Sequence, residues 1–339
     1  MTRRVELRSD THTRPTAAMR AAMADAVVGD DGEGEDPTVN ELEALYARLV
    51  GKPAALFVPS GVMANQISLR VLTRPGDVVI SGRLDHLVRF EMGAAARNAS
   101  IQFVPLLSAT GALATEAVLE VLDGERDHHA HASLVTVENT NMFAGGRVYP
   151  VDQLRALAEA VDRPIHMDGA RLWNAVVASG VSAAEYARHV TTVSSCLSKG
   201  LGAPVGSLLA GPAELMAAAR VERKRLGGAM RQAGVIAAAG VVALTSMVER
   251  LAEDHARARR LADAFAAAFP EAQYDPATCE TNIVAFNHPE ARRLVAALRE
   301  HGIMGDTIAP MRARYVTHLD VDDQDVDYVT EVLASFRLP

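Results

Sequence analysis

Three short stretches of the chain carry residues able to do chemistry. The first is SSCLSKGLGAPVGSLLAG, Ser194 to Gly211. It sets Lys199 after a run that reads as a buried strand and ahead of Gly200, Gly202 and Gly206. Lysine is seldom buried without a partner. An amine held in a dry pocket loses part of its affinity for a proton and becomes a nucleophile toward a carbonyl. At a strand end the same side chain can also extend its ammonium into solvent. The second stretch, IHMDGARL from Ile165 to Leu172, closes an apolar run on Asp168 and follows it with Arg171. A buried carboxylate needs a cation. A protonated pyridine nitrogen would serve, and would turn the ring into an electron sink. A plain Asp168–Arg171 ion pair at a helix start would serve as well. In the third stretch, FVPSGVMANQ, Ser60 and Gly61 stand where a strand turns into a helix. Free backbone N–H groups and the helix dipole favour a phosphate there. An ordinary helix N-cap has the same pattern.

Such residues act together only if a scaffold gathers strand ends. AALFVPSG, DVVIS, SIQFVPL, SLVTVEN, RPIHMD, VTTVSSCLS and PVGSLLAG read as short buried strands between Ala54 and Gly211. Helical patterns such as VDQLRALAEAV (Val151 to Val161) separate several of them. Alternation of this kind predicts an α/β domain with a mostly parallel sheet, whose ligands bind at the carboxyl ends of the strands. A strand-end lysine, a strand-end aspartate and a phosphate-ready helix on one sheet are what pyridoxal phosphate requires. After about Leu244 the texture changes. A long amphipathic helix pattern covers Ser246 to Phe269, followed by NIVAFNH, a helix near Ala291 to Glu300, ARYVTHLD and a last helix. The expected division is an N-terminal arm and large cofactor-binding domain over 1–244, with a small α+β domain over 245–339.

The totals narrow the classes further. The chain has 339 residues, 49% of them hydrophobic and 22% charged, with a formal net charge of −8. That balance speaks against nucleic acid as a partner. The start, MTRRVELRSD, has no apolar core of a signal peptide. The longest apolar run, Ala233 to Leu244, is too short to span a bilayer. The two cysteines, Cys196 and Cys279, lack paired spacing, so neither a disulfide framework nor a metal site is expected and a cytoplasmic location fits. GLGAPVG has the wrong spacing for a dinucleotide fingerprint and does not open the first βα unit.

The segments LRSDTHTRPT, GEDPTVNELE, FVPSGVMANQ, HMDGARLWNA, CLSKGLGAPVGS, RKRLGGAMRQAG and RYVTHLD, with ENTN and GGRVYP, run from Leu7 to Asp320. Through them the chain resembles the L-threonine aldolases of the β-eliminating lyase group, pyridoxal-phosphate enzymes of the aspartate-aminotransferase-like class (fold type I). The resemblance implies a seven-stranded-type, mostly parallel sheet and a cofactor held by Lys199 through its amine. Asp168 would face the pyridine nitrogen, and Ser60, Gly61 and Val62 the phosphate. Arg171 would lie near the phenolic oxygen and the substrate carboxylate, with Ser9 and Arg314 completing that carboxylate site. His86 would stack on the ring and act on the substrate hydroxyl. His128 matches a second active-site histidine of some relatives, whereas the DHHAH segment around it also reads as a solvated loop. Lys224 and Arg231 match a basic loop that approaches the phosphate from a neighbouring subunit, in a homotetramer built of dimers.

The implied reaction is retro-aldol cleavage of threonine, allo-threonine or a related β-hydroxy-α-amino acid to glycine and an aldehyde. Phenylserine cleavage, β-elimination, a nicotinamide oxidoreductase and a non-enzymatic cofactor-binding protein are the other readings. Three positions depart from the family pattern. Val62 stands where threonine is usual, Glu33 (after Gly32) where tyrosine is usual, and Asn141 where histidine is usual.

Overall fold

The computed structural model of the protein describes residues 3–338. Its strands, in chain order, are β1 (Val5–Glu6), β2 (Ala54–Val58), β3 (Val78–Gly82), β4 (Gln102–Leu106), β5 (Ala132–Glu138) and β6 (Ile165–Asp168). They continue with β7 (Thr192–Cys196), β8 (Ser207–Gly211), β9 (Ile283–Asn287), β10 (Ile303–Met304), β11 (Asp306–Ala309) and β12 (Arg312–Val316). Seven of these form one sheet in the order β2-β8-β7-β6-β5-β3-β4. All its neighbouring pairs are parallel except the two made by β8. The sheet is the mostly parallel one that the alternation of the sequence predicts. The seven strands match the seven-stranded-type sheet that the resemblance implies.

Parallel strands covered on both faces become continuous apolar runs. Strand β7 is buried along its whole length, and β5 is buried at all but one position. The turns that leave the carboxyl ends of these strands carry the polar residues. Helix Gly61–Leu72 starts directly after β2 because the Ser60 hydroxyl accepts from the Met63 amide at 3.2 Å. Gly61 is required there by space. A Cβ at this position would lie 2.7 Å from Cys196 Sγ. Gly202 and Gly206, after Lys199, have φ of 80° and 110°, so they turn the backbone where other residues are strained.

The second half of the chain builds a three-stranded antiparallel sheet, β11-β12-β9, packed by helices Leu251–Ala268, Ala291–Glu300 and Asp323–Ser335. Its core centres on Phe265, Phe286 and Tyr315, with Phe265 and Tyr315 stacked at 4.3 Å. The amphipathic pattern over Ser246 to Phe269 is not one helix. Helix Gly234–Ser246 ends, and Leu251–Ala268 restarts at an angle of 73°. The N-terminal arm pairs β1 with β10, so Val5 and Leu7 belong to this second core. No single helix among the described residues is long and apolar enough to cross a membrane.

Candidate active site

The parallel strands deliver a set of polar side chains to one edge of the large sheet. Asp168 is the last residue of β6, paired in register with Glu138, the last of β5. Lys199 follows β7 by three residues, and His86 follows β3 by four.

Asp168 is buried, and its partners are neutral. Oδ2 accepts from Asn65 Nδ2 at 2.8 Å and Oδ1 from the Ala170 amide at 3.0 Å. The Asp168–Arg171 ion pair left open by the sequence does not form. Arg171 instead forks onto Asp10, with bonds of 2.8 and 2.7 Å. Burial alone would raise the Asp10 carboxyl. The Arg171 fork, Lys199 and the Asn282 amide overcome it and hold the group well below the usual carboxylate range. Asp168 is therefore a buried carboxylate with no cation of its own among the described residues, facing the strand-end edge that Lys199 shares.

Asn65 fixes that carboxylate from behind. Its Nδ2 also donates to Glu91 at 2.8 Å. Its Oδ1 faces His166 Nε2 at 3.1 Å and accepts from Ser194 at 3.3 Å. Burial pushes His166 down to about 4, so the ring is neutral. Its Nε2–H donates to Asn65 while its Nδ1 accepts from Thr192.

His86 opens a short helix over His86–Arg89, with its amide donating to Glu138 at 2.7 Å. Its Nδ1 donates to Glu91 at 3.0 Å, and Glu91 also accepts from Gln66 at 2.7 Å. That leaves Nε2 without a partner among the described residues. Burial pulls the imidazolium down, but Glu91, Asp168 and Glu138 together raise it above its ordinary value. Nearby, burial pushes Glu138 and Asp85 up, and repulsion among the carboxylates adds to the rise. Changing Glu91→Gln removes the acceptor charge that holds the His86 proton. A charged hydrogen bond of about 1.5–3 kcal/mol corresponds to about 1–2 pH units, so the His86 titration, followed by NMR, moves down by about that amount. An unmoved titration would show that Glu91 does not act on the ring.

The chain has three lysines, Lys52, Lys199 and Lys224. Lys52 donates to the Val190 carbonyl, and Lys224 is exposed on helix Ala213–Arg225. Only Lys199 reaches the strand-end site. It is half-buried, and its amine takes no hydrogen bond or ion pair among the described residues. Its loop is tied to the N-terminal arm by Thr13, which donates to the Lys199 carbonyl at 2.9 Å.

Arg314, on β12, closes the site from the second sheet. Its Nη2 donates to the Arg8 carbonyl at 2.9 Å, while its buried Nε has no partner. Burial and the nearby Arg171 push its guanidinium down, against Asp10 and a long 3.9 Å pairing with Asp306 that only partly offset them. The adjacent Ser9 caps the short helix Asp10–His12. Ser60, Gly61 and Val62 open helix Gly61–Leu72, whose first amides have no intrahelical acceptor. Val62 is 37% exposed, so a hydroxyl fits there. Changing Val62→Thr adds one neutral hydrogen bond to an anion at this turn, worth about 0.5–1.5 kcal/mol. A phosphate-bearing cofactor is then retained up to about tenfold better in a dissociation titration, and unchanged retention would show that the hydroxyl has no role.

Other residues marked by the sequence lie elsewhere in this chain. His128 is exposed in the turn before β5, at the amino end of a strand whose carboxyl end carries Glu138. Seven residues of extended chain, about 20 Å, separate the two ends. His128 is thus not brought to its own chain's site. Arg231 is exposed and paired to Asp30 at 2.9 Å. Glu33 is exposed in the turn Asp31–Glu33. Asn141 is buried, donating to Asp85 at 2.9 Å and accepting from the Ala144 amide at 2.9 Å. Conversely, Asp10, Asn65, Glu91 and Glu138 belong to the site and were not singled out from sequence. Asn65 lies inside FVPSGVMANQ and Asp10 inside LRSDTHTRPT, so the stretches were found but not these members.

A parallel sheet with a free lysine and an unpaired aspartate at its strand ends defines a fold type I cofactor enzyme. The chain matches the β-eliminating lyase family model over residues 6–288, and it belongs to that family. It is 40% identical to the low specificity L-threonine aldolase of Escherichia coli (strain K12), over 98% of each chain. It is 39% identical to a probable low-specificity L-threonine aldolase 2 of Arabidopsis thaliana, over 96% of this chain and 95% of the relative. Among solved structures it superposes on the threonine aldolase of Leishmania major with a TM-score of 0.82 at 19% identity, covering 96% of this chain and 98% of the other.

Proposed function

We propose that the protein is a pyridoxal-phosphate-dependent aldolase that cleaves L-threonine and related β-hydroxy-α-amino acids to glycine and an aldehyde. The observation that carries this reading is the pairing of an unpartnered Lys199 amine with a cation-free Asp168 on one strand-end edge. Both needs are met by one group with a carbonyl and a basic ring nitrogen. Ser60, Gly61 and Val62 would hold its phosphate, Asp168 its ring nitrogen and Lys199 its carbonyl carbon. Bound there, the cofactor would supply an electron sink for the breaking Cα–Cβ bond.

The chain's own residues do the rest. Arg314, with its free Nε, and Ser9 hold the substrate carboxylate, because a guanidinium fork matches it. Arg171, spent on Asp10, sets the position and charge of that subsite. The carboxylate clamp fixes the orientation of the substrate's Cα–Cβ bond in the site. His86 Nε2 takes the β-hydroxyl proton, and Glu91 holds the imidazolium that results. A proton then returns to Cα, and glycine leaves.

Lys224 and Arg231 face outward in one chain, which suits the second-subunit role assigned by resemblance. We infer a homo-oligomer, a tetramer built of two dimers, located in the cytoplasm. We also divide the chain near Leu244 into a large and a small domain; the two hydrophobic cores and the 73° helix break support that division. The experiment is product analysis on a panel of threonine, allo-threonine and phenylserine. Glycine and aldehyde formed in equal amounts support the proposal. Ammonia and a 2-oxo acid in their place would assign β-elimination.

A further inference from the structure

A cavity of about 440 Å³ lies beside the candidate active site but holds none of its residues. Loops following β3, β4 and β5 wall one side of it, and the β11–β12 hairpin walls the other. Its lining is mainly apolar, from Leu84, Phe143 and Met311, with two arginines, Arg83 and Arg312. The hydrogen bond from Asn141 to Asp85 closes its floor. Asp85 does not neutralise the arginines. Its Oδ1 is taken by Asn141, and its Oδ2 by the Gly82 amide and Ser81.

Arg312 is the unusual feature. Its guanidinium sits 5.4 Å over the Phe143 ring, with Nε donating to the Phe143 carbonyl and Nη1 to Asn287, both at 3.0 Å. Two of its five N–H donors are used. It is half-buried and pairs with no carboxylate among the described residues, and burial pushes its pKa down. Arg83 is exposed at the same cavity, and its side chain has no partner among the described residues. Two cations without anions, facing an apolar hollow of ligand size, make a complementary surface for one kind of molecule.

We propose that this cavity is a second ligand site, for a small monocarboxylate with an apolar or aromatic body. The carboxylate lies on Arg312 and Arg83, and the body lies along Phe143, Leu84 and Met311. Arg312 and Arg314 stand two residues apart on β12, so this site neighbours the amino-acid carboxylate subsite without sharing its residues. A ligand in it touches both the large-sheet loops and the β11–β12 hairpin, and so ties the two halves of the chain together.

The test is calorimetric titration of 3-phenylpropionate into the cofactor-loaded protein. Saturable binding at one probe per chain is expected. Arg312→Met loses a charge-assisted bond and weakens it by about tenfold or more. Ala109→Trp, on an exposed loop at the cavity, blocks it to a similar extent without touching the core. Arg314→Met leaves it unchanged, and the uncharged 3-phenyl-1-propanol binds about tenfold more weakly or worse. The proposal is overturned by absence of saturable heat up to about 10 mM probe, a range that reveals even millimolar sites. It is overturned equally if Arg314→Met weakens the probe as much as Arg312→Met does, or if the alcohol binds as tightly as the acid.

Discussion

Replacing Lys199 with alanine lowers glycine release from threonine by about 10³-fold or more, at matched cofactor loading. The size of the effect follows from how few amines the chain has. Lys52 is committed to the Val190 carbonyl, at the amino end of β7, and Lys224 is exposed on a helix surface. No other lysine in this chain can take over at the carboxyl end of β7. The Lys199 amine also helps to keep Asp10 ionised. Removing it costs both the covalent hold and a proton carrier. Single-turnover measurement of glycine checks this. A variant within about tenfold of the parent would place the essential amine elsewhere.

Changing Asp168→Asn costs about 10²–10³-fold in turnover, the scale of losing one preorganised electrostatic partner. Both Asp168 oxygens already receive a donor, Asn65 Nδ2 on one side and the Ala170 amide on the other. An amide side chain must point its own NH₂ at one of those donors. It therefore loses a hydrogen bond as well as the charge that would keep a ring nitrogen protonated. Cofactor retention falls less than turnover, because the phosphate turn and Lys199 are untouched. Comparing bound cofactor with rate in the same preparation separates the two. A near-native rate would reduce Asp168 to a structural acceptor for Asn65.

The parts of the site that end apolar runs were legible in the sequence. Asp168 ends a buried strand and Lys199 and Ser60 follow one, and each of the seven strands of the large sheet overlaps a run that the sequence marks, with β3 and β5 each extending one residue beyond it. What stayed hidden depends on long-range partners. Arg171 meets Asp10 across 161 residues, and Asn65 meets Asp168 across 103. Nothing local in either stretch shows that a pair will form. Glu91 looks like a surface residue of a short helical segment until Asn65, Gln66 and His86 surround it. The break between Ser246 and Leu251 was invisible for a different reason. Apolar spacing persists through it, and the turn is set by packing of the two cores. The two-residue strands β1 and β10 are too short to carry a period, yet they place the N-terminal arm, and with it Ser9 and Asp10, against Arg314 and Arg171.

The central claim is that Lys199 carries the cofactor, and one measurement meets it directly. The protein is loaded with pyridoxal phosphate, reduced with borohydride, digested and mapped by mass spectrometry. A phosphopyridoxyl group on the peptide containing Lys199, and on no other, is the expected result. Modification confined to Lys52 or Lys224, or no modification at saturating cofactor, would contradict the account.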